Sequence, residues 1–272
     1  MKLISIVFSF KNEEKNLPEL IERTVKVFSE IKNWNYELLF VNDFSTDDSE
    51  KILIKFQKDH PITVINMSRN FGVGPCVIAG FNHAKGDAII YMDSDLQDPP
   101  ELIKKLILEH ESGAEIVHTV RTKRLGESKP KLFITNLAYR FINFFSDIPL
   151  PINAGDFKLI SRRALDQILE LKEVRPYIRG LSVWVGFKQS RVYYIREARG
   201  SGQSQFSLFG HGPVNEFITG LTSHSLKPLY IGIILGFVSI LISLLLIIHT
   251  FYAKFNDLAA IGSSSILITI SF

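Results

Sequence analysis

The sequence predicts an α/β fold, in which a mostly parallel sheet is covered by helices on both faces and is followed by an apolar C-terminal segment. Through the first 120 residues, short β-rich apolar runs alternate with segments of helical periodicity. Polar clusters follow these runs, as expected where parallel strands end. Near the C-terminus, residues 229–248 form an uncharged apolar run of 20 residues, long enough to cross a bilayer.

The chain has 272 residues, of which 46% are hydrophobic and 22% charged, enough for one large domain and an appendage. Its net charge of +3 is too small to indicate nucleic acid as a partner. Cys76 is the only cysteine in the sequence, which excludes an internal disulfide, and its apolar helical surroundings favour a buried thiol over a nucleophile. Because the first residues already read as a strand, we expect no signal peptide.

The elements follow from periodicity and capping signals. The expected strands are 3–8, 36–41, 63–67, 88–92 and 116–120. The expected helices start at a capping box at 16–19 and at the polar cluster 45–48, and also cover 74–85 and 102–111. The sequence has neither a G-x-G-x-x-G fingerprint after its first strand nor a Walker A motif. A ligand is therefore expected at the strand-end loops 10–13, 42–45, 68–72 and 93–97.

The fourth predicted strand ends in an acidic stretch, Asp93-Ser94-Asp95-Leu96-Gln97. On an extended backbone, side chains two residues apart point the same way, so Asp93 and Asp95 are expected to converge. Two carboxylates and the Gln97 amide oxygen are hard ligands that suit Mg²⁺ or Mn²⁺. An ion held by these side chains alone would keep coordination positions open for the oxygens of a diphosphate.

Two simpler interpretations apply to the same stretch. First, the D-x-D pair could simply be two solvated acids at a strand end, without a ligand. The residues that follow, 98–101, are typical of a helix start, with Asp98 as N-cap and Pro99 at the first helical position. That pattern favours a capping role for Asp98.

Beyond residue 120 the sequence predicts a basic loop and then an apolar helix. The basic residues of the loop are Arg121, Lys123, Arg124, Lys129 and Lys131. Residues 131–146 are apolar over a broad helical face. This fits either a core-packed helix or a helix at a bilayer surface, with its basic flank toward anionic headgroups.

The C-terminal part predicts a separate membrane segment. A buried core helix is the alternative for 229–248, but the absence of any charge over 20 residues favours a transmembrane helix. A second apolar run, 258–272, is short for a crossing and is either re-entrant or incomplete. We therefore expect a main domain over 1–222, and a juxtamembrane link with transmembrane segments over 223–272.

A series of motifs occurs in order along the chain. They are F-K-N-E-E at 10–14, V-N-D-F-S-T-D at 41–47, S-R-N-F-G at 68–72, M-D-S-D-L-Q-D-P-P-E at 92–101, R-x-x-R-L-G-E-S at 121–128, A-G-D-F-K-L at 154–159, R-G-x-x-x-W-V-G-F at 179–187, R-G-S-G-Q-S at 199–204 and K-P-L at 227–229. In this combination the chain resembles glycosyltransferase family 2 enzymes of the polyprenyl-phosphate type, such as bactoprenol glucosyltransferases and dolichyl-phosphate mannose synthases. The resemblance runs from about residue 3 to about residue 250.

The resemblance implies a GT-A-type, Rossmann-like fold, a nucleotide-sugar donor that is usually UDP-linked, and a polyprenyl phosphate acceptor such as undecaprenyl phosphate. At matching family positions, Glu13 and Asp43 bind the base and ribose. The expected donor-binding residues are Phe10, Glu13, Asp43, Arg69, Asp93, Arg199 and Ser204. A metal ion on Asp93, Asp95 and Gln97 would neutralise the diphosphate and ease departure of the nucleoside diphosphate.

The implied reaction is a single displacement that gives a β-linked lipid product from an α-linked donor. The acceptor phosphate is already anionic near neutral pH, so it needs cations rather than a strong general base. Arg121, Arg124 and Arg199 are the candidates, because arginine binds phosphate in a bidentate manner. Asp156 matches a family site residue that could orient the sugar or assist the acceptor, the alternative being a residue of a Gly-Asp-Phe turn. The expected catalytic residues are Asp95, Asp156, Arg121 and Arg124.

The chain departs from the family pattern at Ser9, which replaces proline, at Phe44, which replaces glycine, and at Gln205, which replaces lysine. Phe44 could narrow the nucleotide pocket or force a different turn, and Gln205 removes a cation from the phosphate cluster. A catalytically altered, membrane-tethered binding protein is therefore one rival interpretation. A processive glycan synthase is another, although the Q-x-x-R-W motif of those enzymes does not occur in the sequence.

The cellular location follows from chemistry more than from charge. Nucleotide sugars are cytosolic, so the catalytic domain is expected at the cytoplasmic face of the inner membrane. Lys227 before the apolar run and Lys254 after it nearly cancel as orientation signals. The apolar tail could also mediate assembly into a homo-oligomer.

Overall fold

The computed structural model describes residues 1–124, 129–197 and 211–256. Its strands form one sheet in the order β3-β2-β1-β4-β6-β5-β7. They are β1 (Lys2–Phe10), β2 (Trp34–Asn42), β3 (Ile62–Asn66), β4 (Ala88–Asp93), β5 (Ile116–Arg124), β6 (Ala154–Ser161) and β7 (Gln189–Arg196). All neighbouring pairs are parallel except those of β6, which runs antiparallel between β4 and β5. This confirms the predicted mostly parallel α/β fold.

Helices cover both faces of the sheet. They are α1 (Leu17–Ser29), α2 (Ser49–Phe56), α3 (Val73–His83), α4 (Ile103–Glu111, after a 3₁₀ turn at Pro100–Leu102), α5 (Lys129–Phe145), α6 (Arg162–Glu170), α7 (Ile178–Trp184), α8 (His211–Thr222) and α9 (Lys227–Phe255). Ile4, Ile6 and Phe8 of β1 pack in a core with α1 and α4, while Val7 and Tyr91 face a second core with α3 and α6. Burial on both faces explains why these strands read as continuous apolar runs.

Three local predictions are wrong, two of them because pairing with a distant strand replaces a local structure. Asn16 precedes α1 without capping it through its side chain, which donates to the Glu13 carboxylate instead. The first basic residues, Arg121 to Arg124, are not in a loop, because β5 continues through them and pairs with β7. The turn considered around Asp156 is strand β6, which is hydrogen-bonded on both sides.

The residues from Ser225 onward form a compact unit of their own. Its described part is α9, a helix of 29 residues that is long and apolar enough to cross a membrane. The most apolar 18-residue window of α9 has a mean hydropathy of 3.1, and none of it is buried. The second apolar run of the sequence, 258–272, lies outside the described residues.

Candidate active site

The acidic stretch begins where β4 ends. Asp93 is the last residue of the strand, whereas Asp95 lies in an irregular segment in which Leu96 has a φ of +60°. The strand alternation expected to align the two carboxylates is therefore wrong for Asp95. Instead, Asp95 Oδ1 accepts a hydrogen bond of 3.1 Å from the Gln97 backbone N–H, which folds the segment onto itself.

The Asp93 carboxylate lies in a concentration of negative charge. Burial, and then the charges of Asp95, Asp156 and Asp98, raise its pKa to about 7. It also accepts a 3.0 Å hydrogen bond from the Tyr91 hydroxyl, which is itself 2.9 Å from Ser9 Oγ. Clustered acids that oppose one another's ionisation fit a divalent cation, because the cation would compensate their charge.

The donor set is compatible with such an ion if water or substrate oxygens complete its coordination. No group of three His, Cys, Asp or Glu side chains within the described ranges is arranged to hold a metal ion. Asp93 and Asp95 with the Gln97 amide provide three oxygen donors, fewer than the six that Mg²⁺ takes. The residues therefore fit an ion that also binds water or substrate oxygens.

Asp156 lies at the same edge of the sheet, on β6, which runs antiparallel to β4. The antiparallel register pairs Tyr91 with Lys158, and continuing it by two residues sets Asp93 opposite Asp156. Burial alone would raise the pKa of Asp156, but the Arg179 guanidinium holds it well below its usual range. Arg179 donates from Nε to Asp156 Oδ1 at 2.8 Å and from Nη2 to Oδ2, a bidentate pair.

A buried polar chain supports this pair. Arg179 also donates to the Tyr139 hydroxyl on α5. Lys158, on β6, is fully enclosed and donates from Nζ to Ser182 Oγ at 3.1 Å, and Ser182 in turn donates to the Arg179 carbonyl. Burial, partly offset by Asp156, lowers the pKa of Lys158 to about 8. Asp156 is thus held by groups on β6, α5 and α7.

Asp98 is not a helix cap, contrary to the sequence prediction. Its carboxylate is 0% exposed and accepts hydrogen bonds from the Tyr194 hydroxyl, Arg121 Nη2 at 3.3 Å and Arg196 Nε at 3.3 Å. Arg121 Nε donates to the same Tyr194 hydroxyl at 3.0 Å. The backbone of Gly155 lies flat against this cluster, since a Cβ there would be 2.7 Å from Arg121 Nη2.

At the other end of the edge, Asp43 organises the loop after β3. Its carboxylate accepts hydrogen bonds from the backbone N–H groups of Phe71 (2.7 Å) and Gly72 (2.9 Å) and from Asn70 Nδ2 (2.7 Å). The next residue, Phe44, adopts φ +64° and is 53% exposed. It therefore keeps the left-handed conformation that glycine would adopt there, rather than forcing a different turn.

Hydrogen bonds between side chains and backbone groups join the loop after β1 to the loop after β2. Asn12 Oδ1 accepts from the Thr46 N–H at 2.8 Å, and Ser45 Oγ accepts from the Asn12 N–H at 3.0 Å. Asp47 accepts from the N–H groups of Glu14 and Ser49, both at 3.1 Å. These bonds fix the positions of Glu13 and Asp43 at adjacent strand ends.

Three other predicted site residues, Phe10, Arg69 and Arg124, lie within the described part of the chain. Phe10 is buried at the end of β1, and Arg124 ends β5. Arg69 is exposed, with its guanidinium 3.9 Å from the centre of the Phe71 ring. Arg199 and Ser204, like the departure at Gln205, lie outside the described residues. Cys76 is fully buried, and burial together with the nearby Asp43 raises the pKa of its thiol, which argues against a nucleophile.

Sequence reasoning missed four residues of this site. Arg179 begins the motif at 179–187, but its position next to a glycine gave no sign of its pairing with Asp156. Lys158 reads as one polar residue in an apolar stretch, which is itself the available signal, because a buried lysine needs partners. Tyr194 and Arg196 alternate along β7 and so reach the same side, but nothing local points to Asp98 as their partner.

The sequence is similar to known glycosyltransferases over most of its length. The family model "Glycosyl transferase family 2" matches residues 5–169. The uncharacterized glycosyltransferase YkcC of Bacillus subtilis is 40% identical over 97% of this chain and 81% of its own length. The prophage bactoprenol glucosyl transferase homolog of Escherichia coli is 35% identical over 99% of this chain and 88% of its own. The bactoprenol glucosyl transferase of Shigella phage SfV is 36% identical over 91% and 81%.

Solved structures share the fold. Glucosyl-3-phosphoglycerate synthase from Mycobacterium tuberculosis, in complex with Mn²⁺, UDP and phosphoglyceric acid, has a TM-score of 0.53 at 15% identity, over 81% of this chain and 79% of that one. S. aureus TarS 1–349 in complex with UDP-GlcNAc has a TM-score of 0.50 at 19% identity, over 84% and 74%. At these identities the likeness supports the predicted GT-A-type fold alone. The family match and the near full-length relatives go further: this chain belongs to glycosyltransferase family 2.

Proposed function

We propose that this glycosyltransferase transfers a single sugar from a nucleotide-sugar donor, preferentially UDP-linked, to polyprenyl phosphate, with inversion at the anomeric carbon. The observation that carries the proposal is that Asp93 lies close enough to Asp95 and Asp156 for their charges to raise its pKa. The register of β4 with β6, when continued beyond Tyr91 and Lys158, brings Asp93 and Asp156 to the same place. One edge of the sheet thus provides an acidic donor side and a separately stabilised carboxylate for the acceptor side.

On the donor side, Glu13 and Asp43 bind the base and ribose, and Phe10, Arg69, Arg199 and Ser204 complete the nucleotide site. Support comes from the cross-linked loops after β1 and β2, which hold the first two residues rigidly at adjacent strand ends. Solved proteins of the same fold bind UDP and UDP-GlcNAc.

Asp93, Asp95 and Gln97 would hold the metal ion, for which the Mn²⁺ complex of a fold neighbour gives further support. A bound Mg²⁺ or Mn²⁺ would neutralise the diphosphate and stabilise the departing nucleoside diphosphate. The chain prepares this position by fixing the Gln97 backbone on Asp95 Oδ1 and by crowding Asp93 with like charge.

On the acceptor side, Asp156 stays ionised because Arg179 neutralises it, so it accepts hydrogen bonds from sugar hydroxyls rather than donating a proton. The acceptor phosphate, with a second pKa of about 6, attacks without a strong base. Arg121, Arg124 and Arg199 supply cations. Arg121 donates from Nε to Tyr194 and from Nη2 to Asp98, so a phosphate would have to bind the remaining N–H groups of its guanidinium.

The acceptor lipid requires a membrane. Helix α5 exposes a row of large apolar side chains: Phe133, Ile134, Leu137, Phe141 and Phe144. We propose that α5 lies at the bilayer surface, that α9 spans the bilayer, and that the catalytic domain, residues 1–222, faces the cytoplasm. The bactoprenol glucosyl transferase names of relatives are consistent with a lipid acceptor.

A transfer assay tests the proposal directly. The full chain, purified in a mild detergent, is incubated with Mn²⁺, undecaprenyl phosphate and radiolabelled nucleotide sugars. We expect label in a lipid carrying one sugar, which NMR shows to be β-configured, and loss of transfer when EDTA removes the metal. Recovery of an α-configured product would exclude the single displacement. Labelled polymer would support a processive synthase, and nucleotide binding without transfer would support a silent binding protein.

The metal assignment has a matched control. Asp95→Asn keeps the size of the side chain but removes its charge, and should lower transfer at least about 100-fold, by the magnitude typical of losing one electrostatic contact to a transition state. Asp59→Asn makes the same change at an exposed position after α2 and should leave transfer unchanged. Equal activity of both variants would refute Asp95 as a metal ligand.

A further inference from the structure

Beside the acidic stretch lies a second charged cluster, of which the proposed reaction uses only Arg121. It consists of Asp98, Arg121, Tyr194 and Arg196, and is called the Asp98 cluster below. Asp98 is three residues beyond Asp95, and its carboxylate is fully buried. Burying a carboxylate is unfavourable unless charged donors surround it, and here two arginines and a tyrosine hydroxyl do so.

The cluster is fixed by strand geometry. Arg121 and Tyr194 are register partners in the parallel β5–β7 pair. Tyr194 and Arg196 are two residues apart on β7, so both side chains point to the side on which Asp98 lies. The backbone joins the same elements, since the Glu197 N–H donates to the Gln97 carbonyl at 3.1 Å. The end of β7 and the acidic stretch therefore form one unit.

Arg196 connects the Asp98 cluster to the proposed metal site. Its Nε donates to Asp98 Oδ1 at 3.3 Å, while its Nη2 lies 4.0 Å from Asp95 Oδ2. The Arg196 side chain is 12% exposed and that of Asp95 is 14% exposed, so solvent screens this contact weakly. A guanidinium held there attracts the carboxylate that a metal ion needs.

We propose that Arg196 is a positioning residue that competes with the divalent cation for Asp95, and that Asp98 limits this competition by anchoring the Arg196 guanidinium. The proposal rests on the metal site of the proposed function and deepens it. Asp98 draws Arg196 back through Nε, so the Asp95 carboxylate stays near a cation without being fully paired. The affinity for metal alone is thereby kept below what two free carboxylates would give.

The proposal predicts opposite signs for two substitutions. Arg196→Gln removes the competing charge, so Mn²⁺ without nucleotide should bind on the order of tenfold more tightly, from the Coulomb energy of charges a few ångströms apart in a partly buried site. Asp98→Asn releases Arg196 toward Asp95, so Mn²⁺ should bind several-fold more weakly. In the double variant Arg196→Gln/Asp98→Asn the second effect should disappear, because Asp98 acts through Arg196.

The experiment measures Mn²⁺ binding to the full chain in detergent, by electron paramagnetic resonance of the free ion. Arg196→Lys keeps the charge and should stay within about threefold of the wild type, since the position rather than the fork geometry matters here. Arg191→Gln is the matched control, because it removes the same charge from an exposed position on the same strand, and it should not change the affinity. A cluster that only stabilised the fold would not strengthen Mn²⁺ binding in any variant.

The outcomes are distinguishable. Tighter Mn²⁺ binding by Arg196→Gln, with Arg191→Gln unchanged, supports the proposal. Unchanged or weaker binding by Arg196→Gln overturns it while leaving the metal site intact. Absence of Mn²⁺ binding in the wild type, or binding that Asp95→Asn does not weaken, overturns the metal site and this inference together. If Asp98→Asn fails to fold, the Arg196→Gln, Arg196→Lys and Arg191→Gln series still decides.

Discussion

Replacing Arg179 with methionine tests how Asp156 is stabilised. The change removes both charge-assisted hydrogen bonds to Asp156, each on the order of 1.5–3 kcal/mol, and leaves a carboxylate without its cation. Breaking one partner of a buried pair costs about 3–5 kcal/mol. The side chains are 25% and 19% exposed, so water compensates part of the loss. We therefore expect the free energy of unfolding to fall by about 3 kcal/mol.

Urea unfolding of the purified chain, followed by tryptophan fluorescence, measures this change, since Trp184 lies on the same helix as Arg179. Arg175→Met is the control, because Arg175 is exposed and only a few residues away, and should change stability by less than about 0.5 kcal/mol. Transfer should also fall in Arg179→Met and recover partly at higher pH, because burial then raises the pKa of Asp156 with only Lys158 and Arg121 to oppose it. A stability loss below about 1 kcal/mol would refute the reasoning.

Three further predictions concern stability in the same urea assay. Gly155→Ala should lower the free energy of unfolding by about 1–3 kcal/mol, because its Cβ would lie 2.7 Å from an Arg121 guanidinium that is hydrogen-bonded to both Tyr194 and Asp98. An unchanged free energy of unfolding would mean that the guanidinium moves freely. Phe44→Gly should gain about 0.5–1 kcal/mol by relieving the φ of +64° at an exposed side chain, and a loss would contradict the strain. Burial lowers the pKa of His118 from 6.5 to about 4. Between these values the unfolded chain takes up a proton that the folded chain does not. Lowering the pH from 6.5 to 4 should therefore reduce the free energy of unfolding of the wild type relative to that of His118→Asn, by up to about 3 kcal/mol. If the difference in free energy of unfolding between the two proteins did not change with pH, the proposed protonation of His118 on unfolding would be excluded.

The parts of the molecule that sequence predicted well are those decided locally. The alternation of apolar runs with helical periodicity depends on neighbouring residues, so the parallel strands followed from it, with predicted ends at 8, 41 and 92 close to the observed ends at Phe10, Asn42 and Asp93. Cys76 was correctly expected to be buried, because its helix is apolar on the side that meets the sheet.

The errors at Asp98 and Asp156 and the omission of Arg196 concern residues whose partners are distant in sequence. Asp98 has a strong local capping pattern, yet Tyr194, 96 residues away, and Arg121, 23 residues away, determine its place. Asp156 follows a glycine and suggests a turn, yet pairing with β4 and β5 draws it into a strand. Arg196 had no local signal, since its role depends on the register between two strands.

The antiparallel course of β6 has a consequence for how this enzyme can be altered. The register of β4 with β6, when continued by two residues, brings Asp156 to Asp93, so this approach follows from strand pairing and not from the length of the chain that joins them. Connecting loops other than 94–98, which carries Asp95, Gln97 and Asp98, should therefore tolerate a change of length without moving either acid. Helix α5, which lies between them in the chain and which we propose contacts the bilayer, could then be replaced by that of a relative, to adapt the same chemistry to another lipid.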